Sequence, residues 1–181
     1  MSVLKKIAQC VTVSLIVCGT ILLSAQTQIA REYQVKAVFL FNFAQFVEWP
    51  PSTFKESNAI VIGVLGEDPF GPYLDEAVRG EEVNGHPIIV ERYRHLDDMK
   101  VCHILFISST EARELKQVFT NLKSKNILTV SDADNFTKQG GMIRFFTEDR
   151  KTRIRINLSV AKGADLTISS KLLRLADVVN P

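Results

Sequence analysis

The chain has 181 residues, with 22 Lys and Arg against 20 Asp and Glu and a net charge of +2, so it lacks the basic footprint that binding to a phosphate backbone needs. Its length supports one core of ordinary size and is short for two domains. Of its three cysteines, Cys10, Cys18 and Cys102, only the last lies outside the N-terminal apolar stretch, which excludes an internal disulfide once that stretch is removed.

The first 25 residues read as a secretory signal. Lys5 and Lys6 give a positive start, an apolar run from Ile7 to Leu23 follows, and Ser24-Ala25 supply the small residues of a cleavage site. A cut after Ala30 is the second choice. Two rival readings are a lipidated Cys18 in "LIVCG", weakened by Val17 where a small residue is wanted, and an uncleaved anchor, because about 17 apolar residues reach the lower limit of a membrane span. Removing Lys5 and Lys6 leaves 20 bases against the 20 acids, and residues 31–180 are expected to form one domain.

Arg31 to Glu48 is predicted to be a helix, stopped by Pro50-Pro51 because proline cannot continue the hydrogen-bond ladder. "IVIGVLG" (60–66) is a short, β-branched apolar run closed by glycine, which predicts a buried strand. "DPFGPYLDEAVRG" reads as a turn and a short helix ending at Gly80, and "VNGHPIIVERY" as an Asn-Gly turn and a strand. "HILFIS" (103–108) is a second buried strand, followed by Ser109 or Thr110 as a helix cap and a helix to about Lys123. "ILTVS" (127–131) is a third. In "GGMIRFFTEDRKTRIRINL", Arg153 and Arg155 alternate with Ile154, Ile156 and Leu158 beyond a charged turn, which predicts an antiparallel hairpin with one wet face. "SSKLLRLADVV" predicts a final helix with Leu172, Leu175, Ala176 and Val179 on one stripe. Apolar strands separated by helices imply an α/β single-domain sandwich, with a mostly parallel central sheet, helices on both faces and a C-terminal antiparallel hairpin.

The stretch "FLFNFAQFVEWPP" (39–51) carries four phenylalanines and the only tryptophan. It is too short and, with Asn42 and Gln45, too polar to cross a bilayer. At 100° per residue, Ala37, Phe39, Leu40, Phe43, Ala44, Phe46 and Val47 share an apolar face opposite Gln34, Asn42, Gln45 and Glu48. Val38 and Phe41 fall among the polar positions, and Trp49 leaves on roughly that side. Either another element covers them or they form an exposed contact patch.

Catalytic signatures are missing or broken. "STFK" (52–55) matches Ser-x-x-Lys, but "SDA" at 131 and "KTR" at 151 each lack the third residue of the companion motifs, so Ser52 reads as a turn residue. His86, His95 and His103 show no helical ligand spacing and read as surface or strand-edge imidazoles. Glu67-Asp68, Asp97-Asp98 and Asp132 with Asp134 follow strands and could converge on a cation, yet they also fit ordinary turns. Cys102 reads as a buried small hydrophobe. No nucleophile elbow, Walker loop or dinucleotide fingerprint occurs, so no catalytic residue, metal or cofactor is assigned, and a binding role is favoured.

Taken in order, "YQVKAVFLFNFAQFVEWP", "IVIGVLGEDPFG", "VNGHPIIV", "CHILFIS", "ILTVSD", "GGMIRF", "INL" and "ISSKLLRLA" resemble the YfiR/HmsC-like periplasmic proteins over nearly all of residues 33–178. The resemblance implies a periplasmic regulator that binds the periplasmic sensing region of an inner-membrane diguanylate cyclase and holds it inactive. Cyclic di-GMP, exopolysaccharide and biofilm output would then stay low. It also implies homodimers, and paired redox-active cysteines in certain members, a device that Cys102 alone cannot supply. On this reading Phe41, Glu48 and Trp49 are candidate partner contacts. Ser169, Ser170 and Lys171, at a predicted helix start, are candidates for a small anionic ligand, or a plain helix cap. A small-ligand sensor without a cyclase partner is the alternative, and an enzyme of unrecognised mechanism the third reading.

Overall fold

The computed structural model describes residues 28–55, 57–123 and 125–179. The predicted leader, residues 1–25, lies outside them, as do Cys10 and Cys18. Helix α1 runs over 28–46. The sequence predicts that it continues to Glu48, but Val47–Glu48 form a short strand, β1, because strand β9 (Thr167–Ile168) offers antiparallel partners, Val47 to Ile168 and Glu48 to Thr167. Pro51–Lys55 is one 3₁₀ turn, leading to β2 (Ile60–Leu65), buried along its whole length. Helix α2 (Pro72–Val78) opens with proline in its first turn. Asn84 and Gly85, with φ of 56° and 81°, make the predicted tight turn between β3 (Glu82–Val83) and β4 (His86–Tyr93).

Strand β5 (Ile104–Ile107) ends at Ser108, whose hydroxyl accepts from the Thr110 N–H and caps a 3₁₀ turn, Ser109–Glu111. The following helix, α3, spans only Leu115–Leu122 and starts later than predicted, with Glu114 at its N-cap position and no side-chain cap, so neither Ser109 nor Thr110 caps it. Strand β6 (Leu128–Ser131) precedes the hairpin β7 (Ile143–Glu148) and β8 (Lys151–Asn157), turned by Asp149 and Arg150 at φ of 49° and 61°. Asn157 caps α4 (Leu158–Gly163) by accepting from the Val160 N–H at 3.2 Å.

The predicted last helix is corrected to a single turn, α5 (Ser170–Leu173), followed by strand β10 (Ala176–Val179). β10 runs parallel to β8 and fills its open side, with Asp177 opposite Arg155 and the Arg155 Nε donating to Asp177 Oδ2 at 2.6 Å. Sheet pairing of the β-branched Val178 and Val179 wins over the helical stripe. Leu175, predicted to be buried, is 66% exposed.

The eight-stranded sheet has the order β10-β8-β7-β6-β5-β2-β4-β3. β4, β2, β5, β6 and β7 are parallel neighbours, with antiparallel pairs at β3–β4 and β7–β8. The chain goes from β2 to β4 on one side, then returns to β5 on the other. In doubly wound sheets ligands bind outside the carboxyl ends of the strands.

Helices cover both faces. The larger core joins α1 (Ala37, Leu40, Phe43, Ala44), α2, α4 and α5 to Ile62, Val64, Phe106, Val130, Phe145 and Ile156 of the sheet. Phe43 stacks on Phe145 at 5.9 Å, and Phe39 meets the same ring edge-on at 5.8 Å, so most of the aromatic load of the stretch is core. The smaller core packs Leu115, Val118 and Leu122 of α3 and Phe136 on Leu65, Leu105 and Ile107. Cys102 lies in it, as a buried small hydrophobe, and burial pushes its thiol up to about 12.

Candidate functional site

At the carboxyl ends of β5 and β6 lies a crevice of about 590 Å³, lined by Tyr33, Lys36, Ser109, Asp132, Arg144 and Phe146 among others. Lys36 is 3% exposed because it shares the apolar stripe of α1 with Leu40, Phe43 and Val47. Its Nζ is 2.7 Å from Glu32 Oε1 and 2.7 Å from Asp132 Oδ2, and sits 4.2 Å from the centre of the Tyr33 ring. The Tyr33 hydroxyl donates to the same Asp132 oxygen at 2.8 Å, and burial, then the Asp132 charge, raises its pKa. A buried ammonium is therefore held by two carboxylates and an aromatic face, which is what a charge in this position requires.

The sequence placed Asp132 and Asp134 together as candidates for a cation. The structure separates their roles: Asp132 takes Lys36, and Asp134 pairs with Arg144. Asp68 is engaged likewise, accepting from Arg92 at 2.7 Å and from the Phe70 N–H at 2.8 Å. Asp98 accepts from the His95 N–H at 3.2 Å in a capping box. Among the described residues, no group of three or more His, Cys, Asp and Glu is placed to hold a metal ion.

The opposite, amino end of the strands is aromatic. His103 immediately precedes β5 and, against its expected place at a surface or strand edge, is fully buried at 0% exposure. Its Nδ1 accepts from the Val61 N–H at 3.1 Å, its N–H donates to the Val61 carbonyl at 2.9 Å, and its carbonyl accepts from Leu128 at 2.8 Å. His103 thus ties β2 to β6 across the start of β5. Its ring stacks on Phe54 at 5.0 Å, Phe54 stacks on His86 at 4.2 Å, and Trp49 meets His103 edge-on at 6.1 Å. Burial, and after it the charge of His86, holds the His103 imidazole down at about 4.

The predicted partner and ligand residues fall at this end. Phe41 and Trp49 are half-buried against the larger core, which gives them partial internal cover, while Glu48 is exposed and Val38 stays 50% exposed. The β1–β9 ribbon sets Glu48 opposite Thr167, and the Ser169 N–H donates to the Phe46 carbonyl at 2.8 Å. Ser169 and Trp49 therefore sit at opposite ends of one ribbon, roughly 10 Å apart at strand spacing. Ser169 Oγ is engaged as a cap, accepting from the Lys171 N–H at 3.2 Å, whereas the Ser170 and Lys171 side chains are exposed. Because α5 is four residues long, its start carries only a one-turn dipole.

Tyr33, Lys36 and Glu32 were missed by the sequence reading. The signal was present: Glu32 and Lys36 are an i,i+4 pair, and a lysine four and seven residues before Leu40 and Phe43 lies on the apolar stripe. His103 carried no such signal, because its burial depends on Phe54 and Trp49, about fifty residues away in the chain.

The motifs quoted from the sequence agree with a comparison against protein families, in which the model described as YfiR/HmsC-like matches residues 33–177. That span takes in α1 from Tyr33, the crevice apart from Ile29 and Glu32, the aromatic end and β10 as far as Asp177. The chain belongs to the YfiR/HmsC-like family.

Proposed function

We propose that this protein is a periplasmic regulator that binds the periplasmic region of an inner-membrane diguanylate cyclase and lowers cyclic di-GMP output. Family membership across residues 33–177 carries the reading. Residues 1–25 are its export signal, and residues 31–180 the folded domain. Regulation needs no bond to be made or broken: a partner that favours one conformation of the receptor shifts its population by the difference in affinity for the two states.

The surface assigned to the partner is the corner built from the end of α1, β1 and α5. Glu48 is exposed there, Phe41 and Trp49 present half-buried aromatic area, and Ser169, Ser170 and Lys171 flank the ribbon. Half-buried aromatics beside a charged rim are the composition of interaction hot spots. A second copy of the chain is part of the proposal, as a homodimer. Among the described residues no helix is long and apolar enough to cross a membrane.

The test is affinity capture from detergent-solubilised envelope, together with intracellular cyclic di-GMP after deletion of the gene. The expected result is a cyclase in the eluate and a raised messenger level. Glu48→Lys and Phe41→Ala should weaken capture while the far-UV circular dichroism stays unchanged. No cyclase in the eluate and an unchanged messenger level would overturn the reading. The 590 Å³ crevice favours the second reading, a small-ligand sensor, for which one metabolite would raise the melting temperature without any captured receptor.

A further inference from the structure

The imidazole of His103 sits where it cannot take up a second proton without moving. Nδ1 is the acceptor for the Val61 N–H, so in the neutral ring the proton is on Nε2, and among the described residues Nε2 has no hydrogen-bond partner. Adding a proton at Nδ1 would aim N–H at N–H across 3.1 Å. It would also place a charge at a residue with 0% exposure, between the rings of Phe54 and Trp49. Among the described residues no carboxylate hydrogen-bonded to the ring compensates that charge. His86 faces it across Phe54 and its charge opposes a second one. The Cys102 thiol, next in the chain, points to the Val61 and Ile104 carbonyls at 3.9 and 3.2 Å. Lys55 and Glu48, on the segments that carry Phe54 and Trp49, are exposed, and among the described residues no carboxylate is hydrogen-bonded to the ring.

The cover over His103 is also the weak part of the wall. Phe54 belongs to a 3₁₀ turn, Pro51–Lys55, that contains no buried residue. Thr53 Oγ1 and Trp49 Nε1 are buried there without a partner, so opening this cover returns two polar groups to water. The strands beneath are held from both sides and have no such release.

We propose that His103 is an acid-sensitive latch: proton uptake breaks its bond to Val61, drives the ring from between Phe54 and Trp49, and frees the Pro51–Lys55 turn with Trp49. The functional consequence, that acid remodels the partner surface, rests on the proposed regulatory reading. The latch itself does not.

Trp49 is the chain's only tryptophan, so its fluorescence reports this site alone. The purified protein is titrated from pH 7 to pH 3 with tryptophan emission and far-UV circular dichroism recorded together. A reversible red shift of the emission at a pH where the dichroism is unchanged is expected, with a midpoint below 6. His103→Asn, whose side-chain oxygen can still accept from Val61, should abolish the shift. His86→Gln, which removes the opposing charge, should raise the midpoint, and it keeps the test decisive if the His103 variant does not fold. Emission and dichroism changing together, or a midpoint in His86→Gln equal to that of the parent, would overturn the latch. Neither readout uses a partner, so a failed receptor capture with a positive titration removes only the regulatory reading.

Discussion

The two ends of the sheet solve the same problem in opposite ways. Both bury a basic side chain: Lys36 at the carboxyl end is 3% exposed and His103 at the amino end 0%. Lys36 is surrounded by its counter-charges, Glu32 and Asp132, each at 2.7 Å. His103 is surrounded by Phe54, Trp49 and a second imidazole, so it can stay only neutral. A buried charge is tolerated where its counter-charges are buried with it, and a buried imidazole without them is held neutral. Helix α1 joins the two regions, since its first turns carry Glu32, Tyr33 and Lys36 and its end leads into β1 and Trp49.

The largest effect expected is at the carboxyl end. Lys36→Met keeps the length of the side chain but leaves Asp132, whose carboxylate is 13% exposed, without its cation. Breaking one partner out of a buried pair costs about 3–5 kcal/mol, so urea unfolding should show a loss of that size. Lys36→Met combined with Asp132→Leu should recover much of it, because an apolar pair needs no counter-charge. A single-variant loss below about 1 kcal/mol would place Lys36 among solvent-screened surface pairs and remove the contrast.

At the amino end the effect depends on pH. With His103 held at about 4 in the folded chain against an ordinary 6.5, the unfolded chain binds one more proton between those values. Stability is then whole above about pH 6.5 and falls as the pH drops towards 4. At roughly 1.4 kcal/mol per pH unit the loss reaches at most about 3 kcal/mol. Denaturant midpoints measured at pH 7, 5.5 and 4.5 on the parent and His103→Asn isolate this part as the difference in slope between the two. Equal slopes would mean that His103 binds protons alike in both states.

These two ends also mark how far the sequence could be read. Strands β2, β5 and β6, the Asn84-Gly85 turn with the strand after it, and the β7–β8 hairpin were legible because each is a local pattern: a β-branched apolar run, or a turn beside strand residues. Lys36 was legible in principle, from one basic residue on an apolar helical stripe, and was passed over because aromatic residues dominate that face. The aromatic stack was not legible. It joins Trp49, Phe54, His86 and His103 through the sheet order β4-β2-β5, which no single segment encodes. The β1–β9 ribbon that brings Glu48 beside Thr167 has the same origin. Two-residue strands carry too little pattern to be seen alone.

The smallest effect expected tests the C-terminal element, which local pattern misassigned as a helix. On the helical reading, Leu175 shares a buried stripe with Leu172 and Val179, and Leu175→Ser would cost about 2 kcal/mol or more. In the structure Leu172 is 1% exposed and Leu175 66%, because the chain leaves α5 after one turn and enters β10 along β8. Leu175→Ser should therefore shift stability by less than about 0.5 kcal/mol. Asp177→Asn, which removes the cross-strand charge opposite Arg155, should cost no more than about 1 kcal/mol, since the Arg155 and Asp177 side chains are 32% and 46% exposed and water screens the pair. The pair separates the assignments: a strand makes the Asp177 variant at least as costly as the Leu175 variant, and a helix reverses that order.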